Sequence, residues 1–162
     1  MKKIKVVLVG GGTGLSVLAR GLKQYPIDIS AIVTVADDGG STGLIREQID
    51  MPAPGDIRNV LSALSESEET LENLFKFRFN KNEINGHSLG NLMIAAMFDM
   101  TKDFSLAIKQ LSKILNVRGE VIPSTNESPK LAAVMDDDSI YVGESYIPKV
   151  GKNIKKLLLL PM

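Results

Sequence analysis

The sequence predicts an α/β fold with a mainly parallel sheet, and three observations carry that reading. "IKVVLV", residues 4–9, is a nearly continuous aliphatic run, the composition of a strand covered on both faces. It halts in "GGGTG", residues 10–14, after which Leu15, Leu18, Ala19 and Leu22 recur at helical spacing. A second β-branched run, "ISAIVTV" over residues 29–35, follows Pro26. A strand, a helix and a strand in that order form two parallel strands joined by a right-handed crossover. The segments that follow the two strands then leave the same sheet edge, so residues 10–14 and 37–43 face one another.

The remaining elements follow in chain order. Thr13 is placed to cap the first helix, and Pro26 ends it. After "MPAPGDIRN", a proline-glycine turn with Asp56 as a cap, the pattern is helical through Leu61, Leu64, Leu71, Leu74 and Phe75, with "SESEETLEN" as a solvated helix start. "FKFRF" reads as alternating core and surface, and "FNKNEINGHSLGN" as a polar loop. Residues 89–100 and 104–115 read as two helices, the first apolar nearly all round and therefore buried, either internally or at the interface of a homo-oligomer. Beyond Gly119 the pattern turns to short β runs, "EVIPS", "KLAAVM" and "SIYVGES", with "DDDS" as a hairpin turn. "IKKLLLLPM" reads as a further strand entering a core at the end of the sequence, an expectation of an incomplete domain.

Composition narrows the function. The 162 residues suit one domain, or part of a larger one, with 44% hydrophobic and 23% charged residues. Lys+Arg and Asp+Glu balance at 19 each, without the basic excess that binds nucleic acid. There is no cysteine, so disulfides and thiolate chemistry are excluded and any metal is expected to be held by oxygens. The basic start "MKK" precedes too short an apolar run for a signal peptide. No stretch approaches the roughly 20 apolar residues of a membrane span, and a cytoplasmic location is expected.

The glycine turn carries the chemistry. A turn between first strand and first helix gathers backbone N–H groups at the positive end of a helix dipole, where phosphate binds. Gly10, Gly11, Gly12, Thr13 and Gly14 are therefore candidates for a phosphate or diphosphate, against the alternative of a tight strand-to-helix turn and nothing more. The spacing is not G-x-G-x-x-G, since Leu15 stands where the third glycine would fall, so NAD is not indicated. No Gly-Lys-Ser/Thr follows to make a Walker A loop.

Asp37 and Asp38 stand where an acidic residue about 20 positions beyond the turn would hydrogen-bond a ribose. Two adjacent carboxylates allow one to take hydroxyls and the other a Mg²⁺ bridging phosphates, against a loop-capping and a solvated role. Ser41, Thr42 and Arg46 add donors nearby. "GHSLG" matches the nucleophile elbow of α/β-hydrolases in letters, but a polar segment precedes it and its His87 is the one histidine of the chain, so no triad forms unless a missing second half supplies another histidine. His87, Ser88 and Asn91 read instead as a polar helix start facing an anionic or hydroxyl group, or as caps alone. Arg58 pairs either with a phosphate or with Asp56. The three aspartates 136–138 are consecutive in a turn and cannot all face one ion.

Taken together, "GGGTGLSVLARGLK", "AIVTVADDGGSTG", "PAPGDIRN" and "NGHSLGNL" resemble, in order and spacing, the gluconeogenesis factor family, bacterial cytoplasmic proteins similar to the 2-phospho-L-lactate transferases of deazaflavin biosynthesis. The resemblance extends through "GEVIPST" and "VGES" and covers essentially the whole chain. It implies a Rossmann-like three-layer α/β sandwich. It also implies a UDP-sugar ligand, UDP-N-acetylglucosamine, and a regulatory role in carbon metabolism, cell shape and cell-wall precursor supply.

On that resemblance residues 10–14 cradle the diphosphate, Asp37 and Asp38 take hydroxyls or a metal, and Asn91 and His87 border the sugar. Leu44 stands where the family often has a basic side chain, and the family's members are about twice as long, which makes residues 1–162 the N-terminal portion of a nucleotide-sugar-binding domain. Three readings follow: a sugar-nucleotide-binding regulator, a Mg²⁺-dependent transferase of a phosphate-ester group, and a GTPase-like assembly protein resting on GGGTG alone.

Overall fold

The computed structural model describes residues 3–67, 69–81, 84 and 86–161. Strand β1 (Ile4–Gly10) leads into helix α1 (Gly12–Leu22) and strand β2 (Ile27–Val33). Helices α2 (Gly40–Gln48), α3 (Gly55–Leu64), α4 (Glu69–Lys76), α5 (Leu89–Thr101) and α6 (Phe104–Ile114) follow. The chain then forms β3 (Glu120–Pro123), β4 (Lys130–Met135), β5 (Ile140–Val142), a 3₁₀ turn (Ile147–Val150) and β6 (Ile154–Leu160).

A parallel sheet in the order β1-β2-β3 is flanked by the helices, which bears out the α/β class. The register pairs Val6 with Ile29, Leu8 with Ala31 and, across the next gap, Ala31 with Val121. Paired residues of neighbouring strands share a face, so these side chains form one apolar stripe. It packs with Ile57, Val60, Leu61 and Leu64 of α3 and with Ile94, Phe104, Ile108 and Leu111 of α5 and α6. Each such fully buried side chain contributes about 1.5–3 kcal/mol. A second, antiparallel sheet, β5-β4-β6, closes a smaller cluster on Met135 and Ile147.

Several expectations need correction. β1 is an edge strand and only one of its faces is covered, with Val7 61% and Val9 74% exposed. β2 starts two residues earlier than its β-branched run because pairing with β1 fixes its ends; Thr34 N–H closes the ladder on Gly10 O. Helix α2 lies where only a loop was expected, its glycine-rich start masking it. Thr13 does not cap α1: Gly11 is the N-cap, and no side chain bonds there as a cap. Asp56 is not the cap of α3 either, since Pro54 holds that position.

Of the "FKFRF" aromatics only Phe75 is fully buried, and Phe77 stacks edge-on against a half-buried Phe79. α5 buries one face, through Gly90, Asn91, Ile94 and Ala95, while Met100 is exposed. β6 pairs along the edge of β4 and leaves Leu157 and Leu159 exposed rather than in a core. The polar loop ahead of α5 falls partly outside the described residues. The "DDDS" hairpin holds, with Asp137 and Asp138 drawn to different lysines, Lys152 and Lys155.

Candidate functional site

The glycine turn presents the backbone itself. Gly10 (φ +156°) and Gly12 (φ +65°) adopt conformations that side chains disfavour. Gly11 lets two neighbours approach, because a Cβ there would run into Thr34 and come within 2.5 Å of Asp56 Oδ2. With no side-chain cap, the first amides of α1 are the orphan donors of a helix start. The Asp56 carboxylate lies against this start: its Oδ2 stands beside where a Cβ on Gly11 would fall, and the Gly12 amide favours its charged form. Burial raises the pKa of Asp56 above the usual carboxylate value; the Gly12 backbone opposes this, Asp37 adds to it and Arg58 opposes it. Thr13 and Gly14 are exposed on the same first turn.

The acidic loop reaches the turn through the start of α3. A Cβ on Gly55 would meet Thr42 Oγ1 at 2.8 Å and Asp37 Oδ2 at 3.0 Å, so the loop of residues 37–43 closes onto the residue next to Asp56. Asp37 uses its other oxygen, Oδ1, to accept Gly39 N–H at 3.0 Å. Asp38 turns elsewhere: its Oδ1 accepts Ser145 N–H at 2.8 Å, and its Oδ2 borders Gly143. Neighbouring residues of an extended loop point to opposite sides, and the two carboxylates are engaged on different elements. No three His, Asp or Glu groups among the described residues converge as a metal cage. Asp37 Oδ2 lies on the Gly55 and Asp56 side of the loop.

The structure joins the other two motifs. Asn91 Nδ2 donates to Ser41 Oγ at 3.1 Å, and Ser41 Oγ lies 3.1 Å from His87 Nδ1, across 50 and 46 residues of chain. Ser88 caps α5 by accepting Asn91 N–H at 3.2 Å, as its sequence position predicts. Asn91 is 2% exposed, and its Oδ1 has no partner among the described residues.

Arg46 is placed differently from the free donor expected. Its Nη1 donates to Asp37 O at 2.9 Å, and its Nη2 to Ser128 Oγ at 3.1 Å and Pro129 O at 2.6 Å. Burial lowers its pKa, against the opposing charges of Asp38, Asp37 and Asp50. It therefore ties the acidic loop to the start of β4 and lines a cavity of about 310 Å³ with Asp38, Lys130 and Gly143. Arg58 makes no ion pair with Asp56 among the described residues; its Nη2 donates to Asn59 Oδ1 at 2.8 Å.

Sequence reasoning missed Asp56 and Thr34 beside the turn, and Gly143, Glu144 and Ser145 beside Asp38. Burial, then Asp37, Asp38 and Asp56, raises the pKa of Glu144, which places it in the same acidic field. Contacts across about a hundred residues, such as Asp38 with Ser145, leave no local signal.

These features define a parallel α/β domain with a glycine turn after its first strand and an acidic loop after its second. The chain belongs to the family described as 2-phospho-L-lactate transferase CofD, which matches residues 6–162. It is 59% identical to a gluconeogenesis factor of Halalkalibacterium halodurans over 99% of this chain and 50% of that protein. With the gluconeogenesis factor of Bacillus subtilis it shares 56% identity over 99% of this chain and 51% of the other. The crystal structure of a UPF0052 family member from Bacillus halodurans superposes with a TM-score of 0.95 at 56% identity, covering 99% of this chain and 52% of that one. The chain thus spans about half the length of the curated relatives it matches.

Proposed function

We propose that this chain supplies the diphosphate- and sugar-facing side of a nucleotide-sugar site in a regulatory protein of the gluconeogenesis factor type, with UDP-N-acetylglucosamine as ligand. The observation that carries the reading is the start of α1, where uncapped glycine amides stand beside a carboxylate oxygen, that of Asp56. Amides so aimed suit diphosphate oxygens. Asp37 and Asp38 are the hydroxyl acceptors of this reading, and the linked His87, Ser41 and Asn91 are its sugar-facing donors and acceptors. Arg46 serves as the anchor of the loop. Cytoplasmic placement and self-association belong to the same reading, as do cell shape and wall-precursor supply.

Calorimetric titration with UDP-N-acetylglucosamine tests it. Binding that is lost in Asp37→Ala and absent for NAD is expected, and turnover of the UDP-sugar would count against a purely regulatory role.

A second reading is favoured by the family match, whose description is a transferase. In it Asp37, with Asp56 beside it, would hold a Mg²⁺ that neutralises diphosphate charge. Transfer of a phosphate-ester group that survives in Asp37→Asn would remove that reading. The GTPase-like reading gains no further support from the fold, and a GTP titration decides it.

A further inference from the structure

One to two helical turns beyond the glycine turn, α1 and α3 enclose a cavity of about 140 Å³ lined by Ser16, Arg20, Arg58, Asn59, Ser62 and Lys76. Ser16 and Arg20 are four apart on one helix, and Arg58 and Ser62 four apart on the other, so each pair shares a face and the two faces meet at the seam. Its donors exceed its acceptors. Among the described residues neither Arg20 nor Arg58 forms an ion pair, while Lys76 pairs with Glu72. Arg58 Nε and Ser62 Oγ are buried without partners among the described residues. Asn59 receives Arg58 Nη2 on its Oδ1, which leaves its amide nitrogen as a further donor. Ser16 points its proton to Thr13 O.

The guanidinium is held there by shape. A Cβ on Gly90 would come within 2.9 Å of Arg58 Cγ and Cδ, so α5 leaves room for the arginine stem and fixes its course. Burial and the neighbouring Arg78 charge both disfavour the Arg58 cation, and Asp56 opposes them only in part. A buried cation without a partner is costly; an anion in the cavity removes that cost.

We infer that the α1/α3 seam is a second anion site, separate from the glycine turn, which takes a phosphate group between Arg20, Arg58 and Ser62. Its volume is far below the roughly 300–1,000 Å³ of sites that hold whole drug-sized ligands, so a single phosphate head enters and a nucleotide does not. A fork of guanidinium donors with a hydroxyl matches phosphate oxygens. The ligand is either free phosphate or the head of a small phosphate monoester.

Titration of the ¹⁵N-labelled chain with inorganic phosphate, and separately with glycerol 3-phosphate, locates the site by amide shifts. Shifts at Ser16, Arg20, Asn59 and Ser62, weakened about tenfold in Arg20→Ala, are expected for loss of one charge-assisted contact. Arg20 is exposed, so that variant tests the site without disturbing the core, and Arg58→Lys, which keeps charge but loses the fork, should weaken binding as well. Tighter binding of one probe assigns the ligand's source. Shifts confined to Gly11, Gly12 and Gly14, shifts unchanged by Arg20→Ala, or no shifts at all would overturn the proposal.

Discussion

Two arginines, Arg46 of α2 and Arg58 of α3, are both pushed by burial toward losing their charge, yet they are treated in opposite ways. Arg46 meets two backbone carbonyls and a serine that is itself bonded to Met51 O. Arg58 meets one asparagine oxygen and, among the described residues, leaves Nε bare beside Arg78. The first pattern is that of a structural tie, in which the protein completes the guanidinium. The second is that of a group still to be completed. Burial alone therefore does not separate an anchoring arginine from a binding one; the tally of acceptors does.

The largest effect should come from breaking the tie. Arg46→Met strands the carbonyls of Asp37 and Pro129 together with Ser128, at a cost of about 3 kcal/mol in chemical denaturation. Arg58→Met removes an incompletely paired charge and should change stability by no more than about 1 kcal/mol. Equal losses would erase the contrast.

A smaller effect separates two glycines of the turn. Gly11→Ala overpacks against Thr34 and Asp56 and should cost about 1–3 kcal/mol. Gly14→Ala, with open space and helical backbone, should stabilise by about 0.5–1 kcal/mol in the same thermal melts. Next, Asn91→Ala removes a buried donor to Ser41 and should cost about 1 kcal/mol while shifting the His87 ring resonances.

The last prediction concerns pH. The folded pKa of Asp56 lies above its unfolded value, so the folded state binds the extra proton and stability is lost as pH rises from the unfolded carboxylate range through the folded pKa. Asp56→Asn should flatten that fall. Asp137, held low by Lys152 and Ser139, acts with the opposite sign, its contribution present above the unfolded value and lost as pH falls.

Much of this was legible in the sequence, and the boundary is physical. Periodicity located α5 and α6 to within a residue or so, because each has a local repeat and a side-chain cap, Ser88 or Asp103. It missed α2, whose opening glycines carry no helical signal, and it misjudged β1 and β6. An aliphatic run reports hydrophobicity and not which neighbours cover it, and in the chain as it stands both strands lie at sheet edges. The motifs named the candidate residues; the partners of Asp38, Arg46 and the glycine turn lie far along the chain and needed coordinates.

The central claim is that the start of α1 receives a diphosphate. Titration of the ¹⁵N-labelled chain with UDP-N-acetylglucosamine, followed at the amides of Gly11, Gly12, Thr13 and Gly14, tests it most directly. Saturable shifts at those amides, reaching Asp37 and His87 and abolished by Gly11→Val, are predicted. Saturable binding that leaves the glycine amides unmoved, or no binding at all, would contradict it.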